Sequence, residues 1–208
     1  MSVEWFGGFL LAAGVILVVP GPTIILVVGR AAVHGRRSVL PLAAGVALGD
    51  LTAMTLSLLG LGAVLASSAL LFTVLKWIGA GYLVYLGVRT WRSAPRVSET
   101  LPAAGAAGNG SLLRSAFFVT ALNPKSIAFF VAFLPQFVDP RAAALPQLLV
   151  LGTTFLVLAF LNAAVYGAFA GRLGDRFHDH RVQRRFHRCG GAALVGAGLL
   201  TATLRPSS

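Results

Sequence analysis

The chain has 208 residues, of which 57% are hydrophobic and only 11% are charged, and its formal net charge is +11. A soluble domain carries about a quarter charged residues, so this composition argues against one. The basic residues fall in short clusters between long apolar runs, a pattern typical of a membrane protein and not of a nucleic-acid-binding surface. We therefore expect an all-α, multi-pass protein that is surrounded by the lipid bilayer and has no nucleic-acid partner.

The first half of the sequence contains enough apolar residues for three membrane-spanning helices, each of which needs about 20 residues. No charge interrupts 5–29, the first predicted helix, and a basic turn follows it. Gly60-Leu61-Gly62 and Ser67-Ser68 then divide a long apolar run into predicted helices at 38–62 and 68–90. The Ala-, Gly-, Ser- and Pro-rich segment 92–111 is typical of a flexible linker.

The second half repeats this arrangement after the linker. The turn Asp139-Pro140-Arg141 and the arginine-rich segment 172–188 separate its apolar runs. The three predicted helices cover 113–137, 146–171 and 189–204. Residues 1–91 and 112–208 therefore each supply three helices, which gives six transmembrane helices in total.

The arginines predict the orientation of these helices. They concentrate between helices 1 and 2, after helix 3, and between helices 5 and 6, whereas the opposite side has few. Because positively charged loops stay in the cytoplasm, the linker is expected inside and both termini outside. Helix 1 then runs inward and helix 4 runs outward, so the two halves form inverted repeats.

Each half begins with a helix that proline interrupts. Pro20-Gly21-Pro22 breaks helix 1, and Asn123-Pro124-Lys125 breaks helix 4. Proline has no N–H to donate, so the breaks free the carbonyls of Ile16, Val18 and Thr120. Paired interruptions in inverted halves indicate the binding site of a transporter. Unrelated kinks remain the alternative, because proline is common in membrane helices.

Polar residues from several helices are predicted to lie at a similar depth. Counted at about 1.5 Å per residue from the cytoplasmic ends, the two breaks, Asp50, Lys76 and Asn162 lie roughly 12–20 Å deep. The hydrocarbon is about 30 Å thick, so these residues are near its middle. A charged side chain there costs about 2.5–3.5 kcal/mol on insertion scales, so each must be paired, neutralised or hydrated.

Each of these residues has a functional and a structural interpretation. Asp50 and Lys76 form a static ion pair, or Asp50 is a protonatable carboxylate or the counter-charge of a substrate ammonium group. Lys125 suits a substrate carboxylate, or it extends toward the headgroups. Asn162 contacts a substrate or forms an interhelical hydrogen bond. Gly21 and Asn123 are small or polar enough to let a solute approach the exposed backbone.

Six motifs occur in order along the chain, namely Pro20-Gly21-Pro22, Gly45 to Asp50, the run from Lys76 to Gly87, Asn123-Pro124-Lys125, Phe129-Phe130 and Leu134-Pro135-Gln136-Phe137. Through these motifs the sequence resembles the LysE/RhtB-type amino-acid exporters of bacteria over nearly its whole length. This resemblance implies a multi-pass protein of the bacterial cytoplasmic (inner) membrane. It also implies export of amino acids or related small metabolites, exchanged for protons.

Our hypothesis is a secondary transporter whose two halves rock about a site at the midplane. A zwitterionic amino acid docks there, with its carboxylate at Lys125 and the dipoles of the broken helices. Asp50 attracts its ammonium group or carries the coupling proton.

Several alternatives remain at this stage. An exporter of another small solute is one, but a metal-cation exporter needs several carboxylates, thiols or imidazoles at depth. A non-transporting scaffold is another. A membrane-embedded hydrolase would need a nucleophile and base or a metal cluster in its helices, whereas all four histidines fall in predicted loops. Asp175, His178 and Asp179 would share a helical face in the arginine-rich segment, but such residues among arginines usually belong to a solvated loop. We therefore expect no enzyme, cofactor or metal. The oligomeric state is not fixed, and a homo-oligomer stays open.

Overall fold

The computed structural model describes residues 3–67, 69–92 and 108–173, together with the isolated positions 188, 192, 195, 196 and 199. All regular secondary structure in these residues is helical, which confirms the predicted all-α class. The predicted sixth helix at 189–204 and most of the linker at 92–111 lie outside the continuous segments.

The first predicted helix consists of two helices. α1 (Val3–Val18) ends just before Pro20, and α2 (Pro22–His34) begins with a proline. Proline is well tolerated in a first helical turn, where its missing N–H would have no helical partner. The Gly21 carbonyl accepts the first hydrogen bond of α2 from the Ile25 N–H at 3.0 Å. The tripeptide 20–22 therefore ends one helix and starts the next.

A turn at Gly35 leads from α2 into the next helix. Gly35 has φ +69°, a left-handed conformation that favours glycine and commonly ends helices. A 3₁₀ turn (Gly35–Ser38) connects to α3 (Val39–Ser67), and α4 covers Ala69–Arg92. α3 thus continues through Gly60-Leu61-Gly62, where the sequence predicted a turn. In apolar surroundings a continuing helix satisfies its own backbone, so glycines alone do not end it.

The second broken helix lies after residue 107. α5 (Asn109–Ala121) and α6 (Pro124–Ala128) are followed by a π-helical turn (Phe129–Phe133) and a 3₁₀ turn (Leu134–Phe137). The chain bends by 43° at the break between α5 and α6. Asn123 caps α6, because its Oδ1 accepts a hydrogen bond from the Lys125 backbone N–H at 3.0 Å. α7 (Ala144–Leu173) follows.

Two stretches of the described residues are long and apolar enough to cross a membrane. They are the 41-residue stretch Pro22–Gly62 and the stretch Ala144–Ala170. Asn109–Ala121 with Pro124–Phe137 adds a third if the bent pair is one span, and Glu4–Val18 is a shorter apolar helix. At about 1.5 Å per residue the first stretch measures about 60 Å, twice the hydrocarbon thickness. The turn at Gly35 divides it.

The close contact between α3 and α5 places the start of the second half against the first. A Cβ at Gly45 would overlap the Leu113 carbonyl and lie 2.8 Å from the Ala116 Cβ. A Cβ at Gly49 would lie 2.7 Å from the Phe117 carbonyl oxygen. Small residues in this spacing let membrane helices approach closely. α7 also packs against α2 and α3, so helices from the two halves of the sequence contact one another.

Gly49→Ala is expected to destabilise the protein, whereas Gly60→Ala is the matched control, because a Cβ at residue 60 meets nothing within 4 Å. Overpacking costs about 1–3 kcal/mol. Alanine otherwise gains up to about 1 kcal/mol over glycine inside a helix. Thermal unfolding of the purified variants in the same detergent measures the difference. Equal unfolding midpoints would contradict the contact between α3 and α5 at Gly49.

Candidate functional site

The two helix breaks contact each other through the side chain of Lys125. Its Nζ donates hydrogen bonds to the carbonyl oxygens of Ile16 and Val19, both at 2.8 Å. Lys125 is 9% exposed. The last carbonyls of a helix have no partner within the helix and carry partial negative charge. A lysine from the second break therefore caps the broken end of α1 with a positive charge.

Two side chains from α7 cap the remaining carbonyls at this end of α1. Asn162 Nδ2 donates to the Leu17 carbonyl at 3.0 Å, and Tyr166 OH donates to the Val18 carbonyl at 2.9 Å. Asn162 and Tyr166 are one helical turn apart and so lie on the same face of α7. Asn162 thus makes an interhelical hydrogen bond, and its contact with a substrate stays a prediction.

Hydroxyl and amide groups join the second break to the start of α2. Thr23 Oγ1 accepts a hydrogen bond from Asn123 Nδ2 at 3.0 Å and lies 3.2 Å from Thr120 Oγ1. All three side chains are buried. The Thr120 carbonyl, which Pro124 leaves without its helical donor, accepts from the Asn123 backbone N–H at 3.0 Å. The freed carbonyls of both breaks are thus satisfied within the protein, as an apolar environment requires.

The two breaks and the residues that bond across them, residues 16–19, Thr23 and residues 120–125 with Asn162 and Tyr166, form a junction. Asp50 lies beside this junction on α3. It is 2% exposed, and its electrostatic neighbours are the Ser126 hydroxyl and the Lys125 ammonium group. Its Oδ1 has no hydrogen-bond partner among the described residues. Leaving a buried polar atom unpaired costs about 1–3 kcal/mol, so this oxygen is a place where a donor from a ligand would be stabilised.

Gly21 gives the Lys125 side chain the room that it needs. A Cβ at residue 21 would lie 3.3 Å from Lys125 Nζ and 3.4 Å from its Cε. The Gly21 backbone itself is extended, with φ −107° and ψ −171°, and other residues adopt this conformation. The absent side chain, and not backbone freedom, is therefore what glycine contributes here.

Buried phenylalanines cover one side of the junction. Phe129 follows Lys125 by one turn and stacks on Phe155 of α7, with ring centroids 5.3 Å apart. Phe130 meets the same ring edge-on at 4.9 Å. Phe9 of α1 contacts Phe137 at 5.6 Å. The cluster joins α1, α7 and the π-helical turn, an irregular backbone that often marks functional sites.

The structure brings together most of the residues that the sequence singled out. Lys125 and Asn162 donate hydrogen bonds to the end of α1, Asp50 lies beside Lys125, and Gly21 borders the Lys125 side chain. The Lys76 backbone lies in α4, but its side chain lies outside the described part of the structure, so its ion pair with Asp50 stays a prediction. Lys125, for which the sequence suggested a substrate carboxylate or the headgroups, lies within the electrostatic reach of Asp50 in the structure.

Four residues of the junction were missed by sequence reasoning, namely Thr23, Thr120, Ser126 and Tyr166. Tyr166 had a usable signal, because it lies four residues after Asn162 in an otherwise apolar helix. Ser126 and Thr23 each follow a break directly. Hydroxyl side chains are common in membrane helices, however, so their position alone did not distinguish them.

The arrangement leaves two unused hydrogen-bonding positions. Lys125 has three N–H donors, and the described residues occupy two. Asp50 Oδ1 remains free to accept among the described residues. A small zwitterion fits such a pair, because Lys125 is able to donate to its carboxylate and Asp50 to accept from its ammonium group.

A family model for LysE type translocators matches residues 14–204. The chain belongs to this family. No solved structure matches it.

Among its relatives is a homoserine/homoserine lactone efflux protein of Salmonella typhimurium, 32% identical over 99% of both chains. A membrane protein of Vibrio cholerae is 35% identical over 99% of this chain and 100% of its own. A leucine efflux protein of an Enterobacter species is 32% identical over 74% of this chain and 70% of its own.

Tyr166→Phe is expected to destabilise the translocator by about 0.5–1.5 kcal/mol, because the Val18 carbonyl loses its donor. The matched control is Tyr85→Phe, since Tyr85 is exposed on α4. Thermal unfolding in detergent compares the two. A loss of stability that is no larger for Tyr166→Phe than for the control would contradict the cap on α1.

Asp50→Asn and Lys125→Met are expected to be non-additive in a double-mutant cycle. Each single variant leaves the other group as an unbalanced buried charge, which the double variant removes. Coupled neighbours in proteins show interaction energies of about 0.5–3 kcal/mol. Unfolding free energies of the two single variants and the double variant measure the coupling. Strict additivity would show that the two charges do not interact.

Proposed function

We propose that this LysE-family translocator is a secondary transporter that exports amino acids or related small metabolites from the cytoplasm in exchange for protons. Its relatives named as homoserine/homoserine lactone and leucine efflux proteins support the amino-acid class. The observation that carries the proposal is the junction of the two broken helices. It combines a buried cation, a buried carboxylate and capped helix ends within an apolar interior.

The proposal includes the topology read from the sequence. Six helices form two inverted repeats, residues 1–91 and 112–208, with both termini outside the bacterial inner membrane. The broken helix at the start of each half supports the repeat. The arginine-rich connections support the orientation. Under this orientation Phe9 and Phe137 lie toward the outer face and the linker toward the cytoplasm.

Each charged group has a distinct role in the proposed mechanism. The remaining N–H of Lys125 binds the substrate carboxylate, and the positive N-terminal end of α2 faces the same junction. Asp50 Oδ1 accepts from the substrate ammonium group, and the carboxylate takes up the coupling proton once the substrate has left. Asp50 thus alternates between its substrate and a proton, which is the exchange that antiport requires.

Movement of the halves completes the cycle. Thr23, Asn123 and Thr120 connect the break of one half to that of the other, and the phenylalanine cluster closes the outer side. Release to the outside requires the rings of Phe129 and Phe155 to separate. The irregular π-helical turn at Phe129–Phe133 is suited to a hinge, because its hydrogen bonds differ from those of the flanking helix.

Efflux from cells preloaded with labelled amino acids tests this function. Asp50→Asn and Lys125→Met are expected to reduce the export rate at least tenfold, since charge-assisted contacts contribute about 1.5–3 kcal/mol each. Asp139→Asn is the matched control, because Asp139 lies in the turn after Phe137. Membrane insertion is measured for every variant. Normal export by correctly inserted Asp50→Asn and Lys125→Met would place the site elsewhere.

Proteoliposomes test the coupling ion separately. An imposed pH gradient should drive amino-acid movement through the intact protein and not through Asp50→Asn. Transport that ignores the pH gradient would contradict proton antiport. Transport of no amino acid under any gradient would favour another solute or a scaffold role.

A further inference from the structure

The whole chain contains few acidic residues that are able to balance a positive charge on a substrate. Its Asp and Glu residues number six: Glu4, Asp50, Glu99, Asp139, Asp175 and Asp179. Glu4 lies in the first turn of α1 and Asp139 in the turn before α7. The acidic residues at 99, 175 and 179 belong to the linker and the arginine-rich segment, outside every apolar stretch. Asp50 is therefore the one carboxylate that the sequence supplies in the interior of an apolar run, because Glu4 stands at the start of one.

The buried charges at the junction sum to zero before any substrate binds. Among the described residues, Asp50 and Lys125 are the charged side chains classed as buried. The sequence adds no further carboxylate to an apolar run, whereas Lys76 adds a cation to that of α4. A substrate with net positive charge would thus bring a cation that no further carboxylate at the site neutralises.

We infer that the site selects amino acids with uncharged side chains and rejects lysine and arginine. The inference rests on the proposed function and specifies its substrate class. The α-carboxylate takes the free N–H of Lys125 and the α-ammonium takes Asp50 Oδ1, which uses both open positions. A second cation in the substrate would be buried without a partner, and an uncompensated buried charge is strongly unfavourable.

Asn123→Asp is the variant that reverses this selection. Asparagine and aspartate have the same shape, and both are good helix caps, so the bond to the Lys125 backbone N–H is kept. The contact with Thr23 Oγ1 survives if that hydroxyl donates to the new carboxylate. The variant therefore adds one negative charge at the break without removing volume. Asn109→Asp, in the exposed first turn of α5, is the matched control.

The experiment is efflux of labelled leucine, homoserine, glutamate, lysine and arginine from preloaded cells that express the wild type, Asn123→Asp or Asn109→Asp. We expect the wild type to export leucine or homoserine at least tenfold faster than lysine, arginine or glutamate. Asn123→Asp should gain lysine and arginine export of at least tenfold over the wild type. Asn109→Asp should keep the wild-type preference.

The outcomes separate the inference from the function on which it rests. Wild-type export of lysine, arginine or glutamate at a rate within threefold of the faster of leucine and homoserine overturns the inference and leaves the exporter intact. Export of none of the five amino acids overturns both. A correctly inserted Asn123→Asp that still exports leucine and gains no cationic substrate also overturns the inference. If that variant fails to insert, the wild-type ratio alone decides.

Discussion

The structure depends on how the broken end of α1 is satisfied. Four consecutive carbonyls, from Ile16 to Val19, accept hydrogen bonds from side chains of α6 and α7. Outside a membrane, water would satisfy such groups; in an apolar interior the protein must supply the donors itself. Lys125 donates to two carbonyls at once, and its positive charge stabilises the negative C-terminal end of the α1 dipole. The break is therefore stable only because the second half of the chain is in place.

That dependence links structure to the proposed transport cycle. A proline break exposes backbone that is able to meet a solute, but the same backbone must be covered when the site is empty. Lys125 covers it with two of its three N–H groups among the described residues, and in the proposed cycle the third binds the substrate. Asp50 is placed so that its charge balances Lys125, and Ser126 lies beside its carboxyl group. A substrate that binds Asp50 or Lys125 weakens the interaction between these two charges. In the proposed cycle this loss allows the two halves to move relative to each other.

The sequence predicted the parts of the site that are decided locally. Proline interrupts a helix whatever the helix packs against, so the positions of both breaks follow from the sequence. Charged residues such as Asp50 and Lys125 are also easily recognised within apolar runs. The partners of those groups depend on which helices pack together. Tyr166 and Thr23 become recognisable only when α7 and α2 lie against the breaks. The end of α3 was also hard to place, because Gly60 and Gly62 resemble a turn and yet remain helical in apolar surroundings. The inverted repeat and the sixth helix remain predictions from charge and hydropathy.

The most direct measurement is an experimental structure of the translocator in lipid nanodiscs with bound leucine. The account predicts that the leucine carboxylate lies within hydrogen-bond distance of Lys125 Nζ and that its ammonium group faces Asp50. It also predicts that Lys125 keeps at least one of its bonds to the Ile16 and Val19 carbonyls. Leucine bound away from the junction, with Asp50 and Lys125 unchanged and out of its reach, would contradict the account.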